Sequence, residues 1–244
     1  MSATLTIAKR ELRANFYSPV AYVVICLSLV LTAVAFFNYE GGFWQANRAS
    51  FEMLVQYIPP FLSCIVIPVL TMRLVAEERR SGTLEMLITL PVKDHQVILG
   101  KFLGTWIVVL IFLLSTLLFP VLMFKVWHLG ALDWGPVASG YLGLVFYSAA
   151  ATAVGLLVSS LTESQILAFF VSFVILAGLH ITGWFIDSSD GNWKLQVLEF
   201  LSFQSRIKPF SRGLITVRDL VYFASIAILS LMAAFRALER RKWA

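Results

Sequence analysis

Six apolar runs, each close to or longer than twenty residues, dominate this chain of 244 residues. A helix needs about 20 residues to cross the ~30 Å hydrocarbon core of a membrane, whereas membrane strands alternate apolar and polar residues over shorter segments. Hydrophobic residues make up 59% of the chain and charged residues only 14%, too few polar groups for an aqueous exterior. The sequence therefore predicts an all-α, polytopic membrane protein that forms a single transmembrane domain over residues 1–244. Its predicted spans cover about 19–39, 58–76, 102–124, 136–160, 165–186 and 217–237.

The basic residues are distributed unevenly along these spans. The chain has 19 Lys and Arg residues against 14 Asp and Glu residues, a net charge of +5 that would also suit a nucleic-acid partner. With six spans and both ends in the cytoplasm, twelve of the 19 basic residues lie on the inner side and seven on the outer side. This bias follows the positive-inside rule. The charge therefore predicts cytoplasmic termini and no nucleic-acid partner.

Residues 3–16 precede the first predicted span and have the spacing of an amphipathic helix. Leu5, Ala8, Leu12 and Phe16 share one face of that helix, and basic residues occupy the others. The pattern predicts a helix that lies in the cytoplasmic headgroup layer. The alternative is a simple basic flank that only sets the topology.

The longest predicted outer segment, residues 187–216, joins the fifth and sixth spans. A cluster of turn residues at 188–192 precedes a weakly amphipathic helical pattern, and about 30 residues cannot bury a core alone. The segment therefore predicts a helix in the outer interface. Its basic residues either anchor the chain by reaching lipid headgroups or contact an anionic substrate or partner. These basic residues are Arg206, Lys208, Arg212 and Arg218.

Two spans carry stripes of small residues at helical spacing, which let neighbouring helices approach closely. We expect these stripes to pack within one subunit. They consist of Gly100 with Gly104, and of Ala151, Gly155 and Ser159. Three prolines interrupt the second span and predict kinks or a helix start there, because proline lacks a backbone N–H. They are Pro59, Pro60 and Pro68.

A charged island over residues 76–91 separates the second and third spans. Ser81 or Thr83 can cap a helix, and Glu85 then falls in the first turn, where the helix dipole favours a carboxylate. Pro91 ends the run. The apolar face of this predicted helix consists of Leu84, Leu87 and Ile88. The island predicts an element that contacts something in water; an ordinary solvated loop is the alternative.

The sequence predicts no catalytic centre and no metal site. Gly100-Lys101 does not form a phosphate-binding loop, because His95 and Phe102 stand where that motif needs glycine and Ser or Thr. The three histidines are scattered, and both cysteines fall inside predicted spans. No pair of carboxylates within a span could form a protease or transferase centre. An intramembrane enzyme is therefore a poor interpretation of the chain.

The residues from Glu78 to Pro91 resemble the stretch that follows the second span of type-2 ABC transporter permeases. In that family the stretch includes the coupling helix, which docks on the nucleotide-binding subunit. The Gly-Thr-Leu-Glu core, the following apolar pair and the proline are all present, and Gly100-Lys101 follows at the third span. The final stretch, from Phe210 to Trp243, looks like the subgroup tied to gliding-motility operons, and a related subgroup serves copper-enzyme maturation.

The resemblance implies that the chain is the permease subunit of an ATP-driven exporter in a bacterial plasma (inner) membrane. A separate cytoplasmic ABC ATPase, in two copies, would bind ATP and Mg, and this chain would bind no cofactor. A second copy or a related permease would complete the pathway, with membrane lipid and an outer or periplasmic accessory protein as further partners. The implied coupling residues are Glu77, Glu78, Arg79, Arg80, Gly82, Thr83, Leu84, Glu85, Leu87 and Pro91.

Two other functions stay open. An ATPase-coupled scaffold or mechanotransmitter would use the same docking segment to act on an outer partner without transport. An ATP-independent secondary transporter would be favoured by inverted repeats or by broken helices with facing charges, and the sequence displays neither.

Overall fold

The computed structural model of the protein describes residues 3–38, 52–82, 94–125, 134–186 and 198–239. Within these ranges the regular structure is helical and contains no strand. The helices are α1 (Ala3–Tyr17), α2 (Pro19–Asn38), α3 (Glu52–Phe61), α4 (Ile67–Thr71), α5 (Ala76–Arg80), α6 (Asp94–Thr116), α7 (Leu118–Lys125), α8 (Trp134–Leu161), α9 (Gln165–Ile186), α10 (Phe203–Ser211) and α11 (Val217–Glu239), and a π-helical turn, Leu62–Val66, joins α3 to α4.

Six helical stretches are long and apolar enough to cross a membrane, which confirms the predicted all-α, six-span fold. The second and third stretches are longer than the sequence predicts, because their polar ends continue as helix beyond the apolar run. The six stretches are Pro19–Phe37, Glu52–Arg80, Asp94–Leu122, Trp134–Leu161, Gln165–Gly183 and Val217–Glu239.

The second span is not a straight rod. Pro59 and Pro60 lie inside α3, the chain then widens into the π-helical turn, and Pro68 lies in the first turn of α4. Proline removes a backbone donor, and a π-helical turn absorbs the resulting misfit. The predicted interruption of a regular α-helix at these prolines is therefore confirmed. A second interruption, at residues 72–75, separates α4 from α5.

Helix α8 lies at the centre of the bundle and is the most buried span. Its small residues allow this position, because neighbouring side chains fill the places where a Cβ atom would stand. A Cβ atom at Gly143 would lie 2.7 Å from Phe210 Cγ, and one at Gly155 would clash with Thr71. The predicted packing of small residues within one subunit is confirmed at Gly155.

Helix α1 packs along α6. A Cβ atom at Gly100 would lie 2.7 Å from Ile7 Cβ, and one at Gly104 would lie 2.7 Å from Glu11 Cβ. The second small-residue stripe therefore also packs within the subunit. The predicted N-terminal helix is present, but its buried side is mainly polar, whereas Leu5 of the predicted apolar face is 55% exposed. The buried residues of α1 are Ala8, Glu11 and Asn15.

Most of the predicted outer helix lies outside the described residues, and a further helix, α10, comes later in the segment. Residues 187–197 lie outside the described part, and residues 198–201 are helical. Ser202 then starts α10 by accepting a hydrogen bond from Ser205 N, at 3.3 Å. Because Ser202 caps a new helix, the predicted amphipathic pattern ends at that residue.

Candidate functional site

The charged island begins with the short helix α5. Ser81 closes this helix, because its hydroxyl donates to the carbonyls of Glu77, at 2.9 Å, and Glu78, at 3.3 Å. Ser81 is therefore the C-terminal capping residue of α5, and the helix that Ser81 or Thr83 is predicted to start lies outside the described part of the chain. Gly82 adopts a φ of 71°, a left-handed conformation that favours glycine, so the chain turns sharply after α5. The remaining candidate coupling residues lie outside the described part of the chain: Thr83, Leu84, Glu85, Leu87 and Pro91.

The four charged residues of α5 point in two directions. Glu77 and Arg80 are exposed, whereas the side chains of Glu78 and Arg79 are 16% and 10% exposed and form ion pairs within the chain. The predicted coupling residues therefore divide into an outward, exposed pair and an inward pair that binds other helices of the same chain.

Glu78 belongs to a buried ion cluster that joins three helices. Lys101 Nζ on α6 lies 2.8 Å from Glu78 Oε1 and 3.0 Å from Glu11 Oε1 on α1. Arg10 Nη2 lies 2.8 Å from the same Glu78 oxygen and 3.2 Å from Glu11 Oε1. Lys101 is only 1% exposed, so its charge depends on these carboxylates for compensation. The cluster therefore connects α5 to both α1 and α6.

Hydrogen bonds extend this cluster toward the end of the second span. Arg73 Nη2 donates to Asn15 Oδ1 at 2.9 Å, and Arg73 Nη1 donates to Ser18 Oγ at 3.2 Å. Asn15 Nδ2 in turn donates to the carbonyl of Glu11 at 3.1 Å. A polar cavity of about 310 Å³ lies between these side chains and the ion cluster. The N-terminal helix is thus bound to the second span through Arg73, within residues 72–75, and through Glu78, after them.

Arg79 forms the other internal contact of α5. Its Nη2 lies 2.7 Å from Glu163 Oε1, in the turn between α8 and α9. The other guanidinium nitrogens, Nε and Nη1, are buried without a hydrogen-bond partner in the described part of the chain. Helix α5 is therefore held at Glu78 by α1 and α6, and at Arg79 by the α8–α9 turn.

The sequence patterns do not reveal this junction, the set of contacts that holds α5. Lys101 enters the predictions only beside Gly100, in the excluded phosphate loop and in the family resemblance, and no pattern indicates Arg10, Glu11 or Glu163 as members. The available signal was the cost of burying a charge: Lys101 stands at the start of a long apolar run, where an unpaired ammonium is unfavourable. That signal indicates that a carboxylate partner exists but does not identify it.

The four basic candidates of the outer segment do not form one site. Arg206 is buried; its Nη1 lies 2.9 Å from Asp219 Oδ1, and its guanidinium stacks over Phe200 and Tyr222 at 4.9 and 5.2 Å from the ring centres. Thr216 donates a hydrogen bond to the same carboxylate. Arg206 therefore ties α10 to α11 and is no free anchor.

Arg212 has a different partner, Glu52, at 2.8 Å from its Nε. This hydrogen bond and charge raise the pKa of Arg212. Glu52 approaches from the start of the second span, so Arg206 and Arg212 pair with different carboxylates. Lys208 is half-buried in the last turn of α10, and Arg218 is exposed with its guanidinium 6.0 Å from the Phe200 ring centre.

Comparison with known families decides what kind of protein carries this junction. Residues 45–236 match the family model of the ABC-2 family transporter proteins. The chain belongs to this family. No curated protein matches it significantly.

Family membership confirms the coarser part of the expected function. As an ABC-2 permease, the protein is a multi-pass membrane component of an ABC transporter and not its catalytic subunit. Membership also implies a cytoplasmic ABC ATPase as partner, and usually a dimer of permeases. The match spans the described part of the charged island and all of the outer basic residues.

Replacing Arg206 of this ABC-2 permease by Gln should destabilise the fold by about 3–5 kcal/mol, because Asp219 would remain as a buried charge without its partner. Arg212→Gln and Arg218→Gln alter exposed residues and should cause only small losses. Thermal unfolding of the purified variants measures the difference. The double variant Arg206→Gln/Asp219→Asn should recover most of the loss. Equal, mild effects at all three positions would contradict the structural role of Arg206.

Proposed function

We propose that this chain is the permease subunit of an ATP-driven exporter, energised by a separate nucleotide-binding subunit that docks on residues 77–91. The observation that carries the proposal is the division of α5 into an outward and an inward charged pair. Glu77 and Arg80 are exposed at the point where the chain leaves the second span, directly before the residues that resemble a coupling helix. Glu78 and Arg79 attach the same helix to the membrane bundle.

In this mechanism ATP-driven closure of the ATPase moves residues 77–91, which we call the coupling segment, and α5 moves with them. Leu84 and Leu87 fill an apolar cleft on the ATPase, while Glu77, Arg80 and Glu85 select the register by charge complementarity. The ion pairs of Glu78 and Arg79 pass the displacement to α1, α6 and the α8–α9 turn. The spans then exchange between inward-facing and outward-facing arrangements.

The proposal includes the wider assembly and its orientation. Two copies of the permease, or one copy with a related permease, form the pathway with two ATPase subunits, which hold ATP and Mg. Both termini face the cytoplasm of a bacterial inner membrane, in agreement with the distribution of basic residues. The resemblance supports export as the direction, an outer accessory protein as a further partner, and the gliding-motility subgroup as the nearest relatives.

Two variants in the coupling segment test the proposal. Leu87→Asp places a charge in the apolar cleft, and Glu85→Arg reverses a charge at the interface. Each should reduce the affinity for the ATPase at least tenfold, since loss of an interface anchor costs about 2 kcal/mol or more. The measurement is co-purification of the ATPase with the full-length permease, together with permease-dependent ATP hydrolysis.

The matched control is Arg13→Glu, which also reverses a charge but lies on the exposed side of α1. It should leave co-purification unchanged. Normal ATPase binding by both coupling variants would contradict the assignment of residues 77–91. A wild-type permease that purifies without any ATPase would overturn the proposed function and favour the ATP-independent transporter.

A further inference from the structure

The second span breaks immediately before α5. Helix α4 ends at Thr71 and α5 begins at Ala76, and Val75 between them has a φ of −122° and no side-chain cap of its own. Val75 and Ala76 are 2% and 0% exposed, so water cannot bind their backbone N–H groups. A buried N–H without a partner is costly. The break therefore requires a hydrogen-bond acceptor from another helix.

Ser159 of α8 provides that acceptor. Its Oγ accepts hydrogen bonds from Val75 N at 3.1 Å and from Ala76 N at 3.3 Å, and its hydroxyl donates to the carbonyl of Met72 at 3.2 Å. Ser159 itself is fully buried. One hydroxyl thus satisfies three backbone groups, one at the start of the break and two at its end.

The shape of α8 brings Ser159 within reach. Gly155, one turn earlier, lets Thr71 approach so closely that a Cβ atom at this position would clash with it. The last turn of α4 therefore lies against Gly155, and the break that directly follows it lies against Ser159, one helical turn further along α8. Gly155 and Ser159 form a slot that holds the chain from Thr71 to Ala76.

We propose that Ser159 is a positioning residue that sets the angle at which α5, and with it the coupling segment, leaves the membrane bundle. This inference rests on the proposed function. Without the hydroxyl, the break has no partner for two buried N–H groups, and residues 72–75 become a loose hinge. With the hydroxyl, α5 is fixed to α8, the central helix, and a displacement of α5 moves α8 directly.

The neighbouring Ser160 offers a matched control. It is also buried, at 4% exposure, but its hydroxyl donates only within its own helix, to the carbonyl of Leu157 at 2.7 Å. Ser159→Ala and Ser160→Ala therefore remove the same atom at adjacent buried positions. The first removes the contact with the break, and the second does not.

The test combines amide hydrogen exchange with ATP hydrolysis by the permease–ATPase complex in lipid nanodiscs. Ser159→Ala should raise the rate of amide exchange in residues 72–80 at least tenfold, because the substitution removes three hydrogen bonds that oppose local opening. It should also abolish the permease dependence of ATP hydrolysis while the ATPase still co-purifies. Ser160→Ala should behave as wild type. Ser159→Cys, whose thiol is a weaker acceptor, should give an intermediate result and remains informative if the alanine variant misfolds.

Two outcomes would overturn this inference and leave the proposed function intact. Unchanged exchange in residues 72–80 for both Ser159 variants would mean that the hydroxyl does not hold the break. Raised exchange with normally coupled hydrolysis would mean that the break does not position the coupling segment. Failure of the wild-type permease to bind an ATPase would overturn the proposed function, and the positioning role with it.

Discussion

Replacing Lys101 by alanine is expected to destabilise the permease by about 3–5 kcal/mol, the usual cost of removing one partner from a buried ion pair. Glu11 and Glu78 would then lose their shared buried ammonium and face each other across the vacated site, beside the half-exposed Arg10. The expected result is a large fall in the thermal unfolding temperature of the purified permease. Permease-dependent ATP hydrolysis should also fall, because α5 loses its attachment to α6.

A double variant separates stability from transmission. Glu11→Gln/Lys101→Met removes both charges of one pair together, and such neutral replacements of buried ion pairs are often no less stable than the original. Thermal stability should therefore return, whereas coupled hydrolysis should stay low because α5 is no longer held by a charge on α6. Lys9→Ala, on the exposed side of α1, is the control and should change neither quantity. A stable Lys101→Ala variant would show that the cluster carries no stability.

The spans could be predicted from the sequence because membrane insertion is a local property. The length and apolarity of each run decide whether it can cross the hydrocarbon core, and all six predicted spans are present. The irregular helix over residues 59–68 of the second span could be predicted as well, because Pro59, Pro60 and Pro68 lack the donor that a regular helix needs. The glycines at positions 100, 104 and 155 indicated where helices approach closely, but not which helices.

The junction around α5 could not be predicted in the same way, because its partners are distant in the chain. Lys101 and Glu11 are 90 residues apart, and Arg10 and Glu78 are 68 apart. Composition indicates only that a buried charge needs a partner. Ser159 was noted for its small size, whereas its contribution is a hydroxyl directed at another helix. Pairings of this kind depend on the order in which the helices pack, which no local pattern encodes.

The burial of Glu11 also explains why the amphipathic pattern of α1 was misleading. Apolar residues of a membrane-associated helix can face lipid as well as the protein, so the apolar face need not be the packed face. Leu5 is largely exposed, and Glu11 and Asn15 are buried against α6 and the second span. Polar groups are costly to bury alone, but here each meets a polar partner.

Substituting Gly104 by alanine is expected to separate α1 from α6. The added Cβ atom would lie 2.7 Å from Glu11 Cβ and 2.8 Å from the carbonyl oxygen of Ala8, and a backbone carbonyl in a helix cannot move aside alone. Overpacking of this kind costs about 1–3 kcal/mol. Because Glu11 is displaced as well, its ion pair with Lys101 lengthens. The total loss of folding stability therefore approaches the loss caused by removing the ion pair. Thermal unfolding and the rate of tryptic cleavage within α1 measure the effect.

The matched control for Gly104 is Gly178, a glycine of α9 with no atom within 4 Å of the place where a Cβ would stand. Gly178→Ala should leave the unfolding temperature unchanged or raise it slightly, since alanine favours helix over glycine by about 0.5–1 kcal/mol in water. Cleavage within α1 should stay slow in this control and accelerate in Gly104→Ala. Similar behaviour of the two variants would mean that α1 does not pack on α6 in the membrane, and the route from α5 to the spans would then run through Ser159 and Glu163 alone.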